Sequence, residues 1–533
     1  MQDSHYPGSQ DRSAREPAPT RPVTSEPGWS GQPGEPGDAR ALGRLAVACI
    51  LCALLVMVGA SLLRSSWMPP PLAMPASGPP WELTAHLPAR VIAVSVWMAG
   101  LLGVGGLAAG LLAVRRGQPM PVRTLIAGAA AAVVALTVLP PVGSTDALDY
   151  AIYGHIAALG HSPYVMTPFR YGLRMHLSQG VPLQWEHAPS VYGPLATLEQ
   201  LAAAWLGGAS LAVTVFWLKL ANALGFAAIG YAADRLLRAD PAARLRAHLL
   251  WTANPLLIWS LIAGGHLDVL AGAAGLAGLL LLGGRARGAS PRRALAAGLC
   301  VGAAADIKIA YLLFGLAVLW SLRGQPRQQV AVAGAAAAVL LPSYALAGVP
   351  AVSALVARVP AGFGYGFYGL FFRPLGIGLG VAVPAAVLLI IPVALLALSR
   401  LPEGSAGRPA IRVALAGSLA WLLVWPHQYA WYSVMIICVL VFYPASRLDW
   451  VALAWLGALT VAGMPGVGVG TAKTLGPVLA SIRMAPLAEV VMLGALAAFV
   501  VLCLTERWNA VPGRGLAGPP PAEAISTRSA EVG

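Results

Sequence analysis

Two carboxylates, Asp146 and Asp149, stand three positions apart in the stretch VLPPVGSTDALDYAIYGHIAALGHSPYVMTP, directly after a long apolar run. A carboxylate so placed can accept the proton of an attacking hydroxyl, and lysine or arginine can neutralise a departing phosphate. No second carboxylate is required as an acid, because a phosphate monoester leaves without protonation. Cations that could serve are Arg170 and Arg174 in the same loop, Arg373, and Lys308 in the tetrapeptide ADIK. An ionisable residue inside an apolar segment is costly and is read as functional by default, so Lys308 stands out; its alternative is an internal pair with Asp306. Further polar groups cluster in two turns, GGHLD with His266 and Asp268, and WPHQYAWY with His427 and Tyr432. Each has a plainer reading. Asp146 follows Ser144 and Thr145 at a helix start and could cap that helix or favour its dipole. Asp149 reads as a solvated surface carboxylate, with a second catalytic carboxylate as the alternative. His266 and Asp268 could merely close a turn at a membrane surface.

The elements that must hold these groups are membrane helices. The 533 residues are 58% hydrophobic and 11% charged, with a mean hydropathy of +0.71, whereas soluble domains carry about 25% charged residues. Apolar runs such as Leu45–Leu63 and Val91–Val114 have the roughly 17–25 residues needed to cross the hydrocarbon layer as helices. The alternation that marks membrane barrels is not evident. Residues 1–43 and 509–533 are rich in Pro, Gly, Ser and charge and are expected to be disordered cytoplasmic tails around a membrane domain at 44–508. The five cysteines all lie in apolar runs and read as small buried hydrophobes.

The net charge of +14 comes mainly from the tails and short loops, which is the positive-inside pattern rather than a nucleic-acid surface. Arg40 and Arg44 place the first span's start in the cytoplasm, and Arg115 and Arg116 close the second. The third span therefore exits on the far side, which makes the loop 143–194 extracytoplasmic. The same accounting puts His266, Asp268, the aromatic loop GFGYGFYGLFFRP, His427 and Tyr432 on that face. The segment 294–321 obeys the rule only if it breaks at ADIK into two short helices, giving about fourteen helical segments.

The run STDALDYAIYGHI, then GHSPYVMTP and APSVYGPL, resembles the first extracytoplasmic loop of bacterial GT-C glycosyltransferases. It is most similar to that of the actinobacterial polyprenol-phosphate-mannose-dependent α-1,6-mannosyltransferases. NPLLIWSLIAGGHLDVL and the pair Trp431–Tyr432 add two further pieces in the same order. The resemblance implies an all-α polytopic GT-C fold with about 12–14 transmembrane helical segments, in a bacterial plasma membrane. It implies transfer of mannose from a polyprenyl-phosphate donor to an extracytoplasmic glycan or glycolipid by inverting single displacement. Asp146 is then the base, and Tyr150, Tyr164, Arg170, Tyr192, His266, Asp268, Lys308, His427 and Tyr432 are candidates for holding donor or acceptor. Three departures leave sugar and acceptor open: Leu267 where the family has Asn, the added Asp149, and the irregular ADIK.

The histidines His155, His161, His176 and His187 match no compact ligand spacing, so neither a metal nor a cofactor is expected. Apart from donor and acceptor, the only partners implied are membrane lipids. The rival from another class is a polytopic transporter or lipid-linked sugar flippase. Transporters often carry paired broken helices from internal repeats, and the chain shows one candidate break and one long asymmetric loop.

Overall fold

The computed structural model describes residues 36–64, 75, 78–85, 87–175, 185, 187–282, 290–358, 374–402, 409–426, 428–464, 484–505 and 508. In chain order the helices are α1 (Pro36–Leu62), α2 (Ala89–Arg115), α3 (Val122–Val138), α4 (Asp146–Ala158), α5 (Pro168–Met175), α6 (Pro194–Gly207), α7 (Leu211–Leu236), α8 (Pro241–Ala263) and α9 (Asp268–Leu282). There follow α10 (Pro291–Ile307), α11 (Leu312–Ser321), α12 (Pro326–Ala347), α13 (Val349–Arg358), α14 (Leu379–Arg400), α15 (Pro409–Val424), α16 (Val434–Leu440), α17 (Leu448–Gly463) and α18 (Met484–Thr505). A two-residue parallel bridge joins Leu63–Arg64 to Leu83–Thr84.

Six of these helices are long and apolar enough to cross a membrane, and α8 with α9 passes the same test as a pair bent by 117°. With α10 and the shorter apolar helices, the described residues form the all-α polytopic membrane bundle expected, in which six helices and the bent pair meet the length and hydropathy of a span. One boundary shifts. The chain is already helical at Pro36, inside the stretch read as a tail, because adding residues to a formed helix is far easier than starting one. The rest of both tails lies outside the described residues.

The core is built on α8. Leu249, Trp251, Leu256, Leu257, Ile258, Leu261 and Ile262 are all fully buried, and Trp251 donates its indole N–H to the Phe226 carbonyl at 2.9 Å. By contrast, only 11% of the apolar window of α12 and 22% of that of α14 is buried. All of them are apolar, and packing separates a central helix from one left uncovered by protein. The motif Asn254-Pro255-Leu256 restarts α8 between two wide π turns: Asn254 Oδ1 accepts the N–H groups of Leu256 and Leu257 at 3.1 and 3.3 Å, while Pro255 takes the first helical position.

The two interruptions that matter for the site fall where the sequence placed them. Between α8 and α9, Gly265 adopts φ +71°, which glycine reaches without strain. Between α10 and α11 the chain breaks at Lys308, whose backbone is extended (φ −148°, ψ 115°). The segment 294–321 is thus a broken pair. Of the cysteines, Cys438 and Cys503 are buried, Cys49 and Cys300 half-buried, and Cys52 exposed. Cys52 corrects the expectation, since a lipid-facing position is as apolar as a core.

Candidate active site

A pinned strap carries the chain from α3 to Asp146. The helix stops at Val138 because Pro140 and Pro141 have no N–H to extend it. The carbonyls left behind are then caught one by one. Leu139 O accepts from Lys219 Nζ at 2.7 Å, and Pro140 O accepts from Ser61 Oγ at 2.6 Å. The Val142 N–H donates to Ala263 O at 2.9 Å, tying the strap to the end of α8. Gly143, at φ +89°, lies flat against Trp259, where a Cβ would come within 2.7 Å of the indole.

Asp146 then opens α4. Its own N–H donates to Ser144 Oγ at 3.2 Å, and the N-cap residue Thr145 makes no side-chain cap. The capping role considered for Asp146 is therefore not formed. Its Oδ2 instead lies 3.5 Å from His266 Nδ1, a contact rather than a formed hydrogen bond. The His266 ring is buried and stacks on Trp431, with centroids 3.6 Å apart, and Trp431 stacks in turn on Tyr429 at 4.5 Å. A cavity lined by Gly143, Trp259, Ser260, His266, Tyr429 and Trp431 lies beside the ring.

The break at Lys308 supplies the opposing wall. Lys308 Nζ donates to Asp268 Oδ1 at 2.6 Å and lies 4.2 Å from the centre of the Tyr432 ring, a cation–π contact. Tyr311 OH donates to the Asp268 backbone carbonyl at 3.1 Å, fixing the first turn of α9. Tyr150 and Tyr192 join hydroxyls at 3.0 Å with edge-to-face rings.

The electrostatics follow from burial and from this pairing. Burial pushes the Asp146 carboxyl up to about 7, with Lys308 pulling it down and Asp268 raising it further. A base poised near neutrality combines availability with proton affinity. Burial, reinforced by Lys308, holds His266 well below its usual range, so the imidazole is neutral. Burial and the nearby carboxylates keep both Tyr150 and Tyr192 protonated.

The structure therefore brings together Asp146, Tyr150, Tyr192, His266, Asp268, Lys308 and Tyr432. Tyr164 sits apart from them, bonded to Thr197 Oγ1 at 2.7 Å, and Arg170 stays on the exposed face of α5. His427, Arg373, the aromatics of 363–372 and His176 lie outside the described residues, as does the Arg174 side chain. Asp149 is a correction. It is buried, not solvated, because α6 and α7 cover α4. Burial and the neighbouring Asp146 hold it protonated. The alternative pairing of Lys308 with Asp306 is also not formed; Lys308 turns to Asp268, and Asp306 to the start of α6.

Sequence reading missed Lys219, although the signal was there: it is a lone cation in an apolar run. It named Trp431 only as part of a motif and missed its stacking on His266, and it missed Ser61 as a strap anchor, which carries no local signal.

Fold and site together define a polytopic α-helical membrane protein with a carboxylate–imidazole contact and a lysine–carboxylate pair buried at one end of its bundle. The chain belongs to the alpha-(1->6)-mannopyranosyltransferase family, whose N-terminal domain is matched by residues 46–324. It is similar to a probable alpha-(1->6)-mannopyranosyltransferase of Mycolicibacterium smegmatis, 33% identical over 151 residues. It is 32% identical over 149 residues to an alpha-(1->6)-mannopyranosyltransferase of Mycobacterium tuberculosis, and 31% over 144 residues to alpha-(1->6)-mannopyranosyltransferase B of Corynebacterium glutamicum. These matches span 27–28% of this chain and 23–26% of the relatives, about a quarter of each. Among solved structures it is similar to ArnT from Cupriavidus metallidurans bound to undecaprenyl phosphate. That match has a TM-score of 0.38 and 18% identity, and covers 72% of this chain and 76% of that one.

Proposed function

We propose that this protein is a GT-C mannosyltransferase of the bacterial plasma membrane, working on its extracytoplasmic face. It moves mannose from a polyprenyl-phosphate donor onto a glycan or glycolipid acceptor, forming an α-1,6 bond by inverting single displacement. The observation that carries this reading is the placing of Asp146, against His266 at 3.5 Å, in one site with Lys308, which is held by Asp268 at 2.6 Å. Family membership supports it, as does the pattern of basic clusters, from which 143–194 is expected to lie outside.

In this reading the acceptor 6-hydroxyl attacks the anomeric carbon, and its proton passes to Asp146. The bond to the phosphate oxygen breaks, its electron pair stays on the lipid phosphate, and no acid is needed. Lys308 offers its remaining N–H donors to that phosphate, with Asp268 holding its direction. His266, its ring fixed on Trp431, lies against Asp146 and is free to bond the reacting sugar. Tyr150, Tyr192 and Tyr432 line the sugar, and Tyr164, Arg170 and His427 serve the outer parts of donor or acceptor.

The test is transfer of labelled mannose from synthetic polyprenyl phosphate mannose to short α-mannosides, in membranes carrying the wild type or Asp146→Asn. Product from the wild type alone supports both donor class and base. Correctly inserted protein that gives no product from either overturns the mannose assignment and returns the flippase reading to the front.

A further inference from the structure

The hydrogen bonds of the Asp306 carboxylate go to Leu195 and Ser343, not to the groups assigned to the reaction, yet two parts of the site meet at it. Its carboxylate is fully buried at the last turn of α10. Oδ1 accepts the Leu195 N–H at 2.8 Å, so Asp306 caps α6 from 111 residues away. An anion at a helix start is stabilised by the helix dipole and by the otherwise unpaired N–H groups. Oδ2 accepts the Ser343 hydroxyl from α12. In the reverse direction, the Gly193 N–H donates to Ile307 O at 3.3 Å. Two backbone stretches are thus latched by hydrogen bonds running both ways.

The latch explains why VYGPL carries glycine. A Cβ at Gly193 would fall 1.4 Å from the Asp306 carbonyl oxygen. Each side of the latch also carries a site residue. Tyr192 directly precedes Gly193 and reaches Tyr150. Lys308 follows Asp306 by two residues and reaches Asp268 across an extended backbone.

We propose that Asp306 is a positioning residue: by latching Gly193–Leu195 to Asp306–Ile307, it sets the spacing between the Tyr150–Tyr192 pair and the Lys308–Asp268 pair that faces the Asp146 base. This rests on the transfer reading above, so the experiment carries two readouts on the full-length protein. One is kcat and KM for transfer from polyprenyl phosphate mannose; the other is hydrogen exchange in the segments 190–197 and 306–311. Asp306→Leu removes both acceptor oxygens, whereas Asp306→Asn keeps one for the Leu195 N–H. Gly193→Ala leaves the carboxylate in place but forces the latch apart.

Asp306→Leu and Gly193→Ala are expected to lower kcat about a hundredfold, the cost of a shift on the order of 1 Å in a reacting geometry. Both should lose exchange protection in the two segments together. Asp306→Asn restores most of the turnover and the protection. Wild-type kcat in Asp306→Leu or Gly193→Ala overturns the proposal, as does an Asn variant no better than Leu. If the wild type transfers no mannose, the functional reading fails, and exchange still decides the latch: protection lost at 190–197 but kept at 306–311 overturns it.

Discussion

Two buried ionic clusters lie at opposite ends of α8, and they are built on different rules. Near its start, Arg246 meets Asp449 through two hydrogen bonds at 2.8 and 2.6 Å and donates to the Tyr443 and Leu440 carbonyls at 3.0 and 3.1 Å. Arg115 lies 3.9 Å from the same carboxylate and stacks over Trp450 at 5.2 Å. Beyond the other end of the helix, the cluster around Asp146 leaves groups open. Asp268 Oδ2, Asp149 Oδ1, Thr145 Oγ1 and both His266 nitrogens are buried and find no hydrogen-bond partner among the described residues. Buried polar groups without partners are destabilising, and native proteins keep few of them. A closed cluster fastens helices; an open one keeps polar atoms available to a reacting molecule.

The sharpest break of this contrast is Asp146→Asn. It should cut transfer roughly a thousandfold, within the range of a lost general base, while the purified protein elutes as a single species like the wild type. The mirror experiment is Asp449→Ala. Leaving Arg246 buried without its carboxylate should cost about 3–5 kcal/mol of stability, read as a lower melting temperature, with turnover per folded molecule unchanged. If the two variants exchange phenotypes, the assignment of the clusters is wrong.

Lys308→Met sharpens the comparison by pH. The active form of Asp146 is the deprotonated one, so kcat/KM should rise with pH through about 7 and level off above it. Lys308 lowers that value, and its removal should move the rising limb to higher pH. A limb that stays in place would show that the titrating group is not Asp146. The smallest effect is expected at Lys219→Met, which strips the Leu139 carbonyl of its donor. Leaving that buried acceptor unpaired should cost about 1–3 kcal/mol, seen as a lower melting temperature and a modest fall in kcat as the strap before Asp146 loosens.

Much of the site was legible because each of its pieces sits beside a helix end. Asp146 follows α3, His266 lies in the turn between α8 and α9, Lys308 breaks the run after α10, and Tyr432 precedes α16. Alternating basic clusters assign each such end to one face, so residues from 146 to 432 could be gathered without a contact being known. Asp149 was misread for a related reason. Helical spacing puts it on the same side as Asp146, but the cover supplied by α6 and α7 has no trace in its own segment. Lys219 could have been found from its apolar surroundings; its acceptor could not.

By itself, the sequence determined the all-α membrane architecture and the places where helices stop, and its basic clusters led to the expectation that the polar turns share one face. Apolar length, proline, glycine and basic charge act within a few residues of where they stand. Tertiary structure alone decided that α8 is central while α12 is left uncovered by protein, that His266 lies against Asp146, that Lys308 takes Asp268, and that Asp306 turns away to cap α6. A membrane helix is apolar on every side, so its pattern does not say which neighbour it meets. Partners 40 to 120 residues apart are chosen only when close packing has brought their helix ends together.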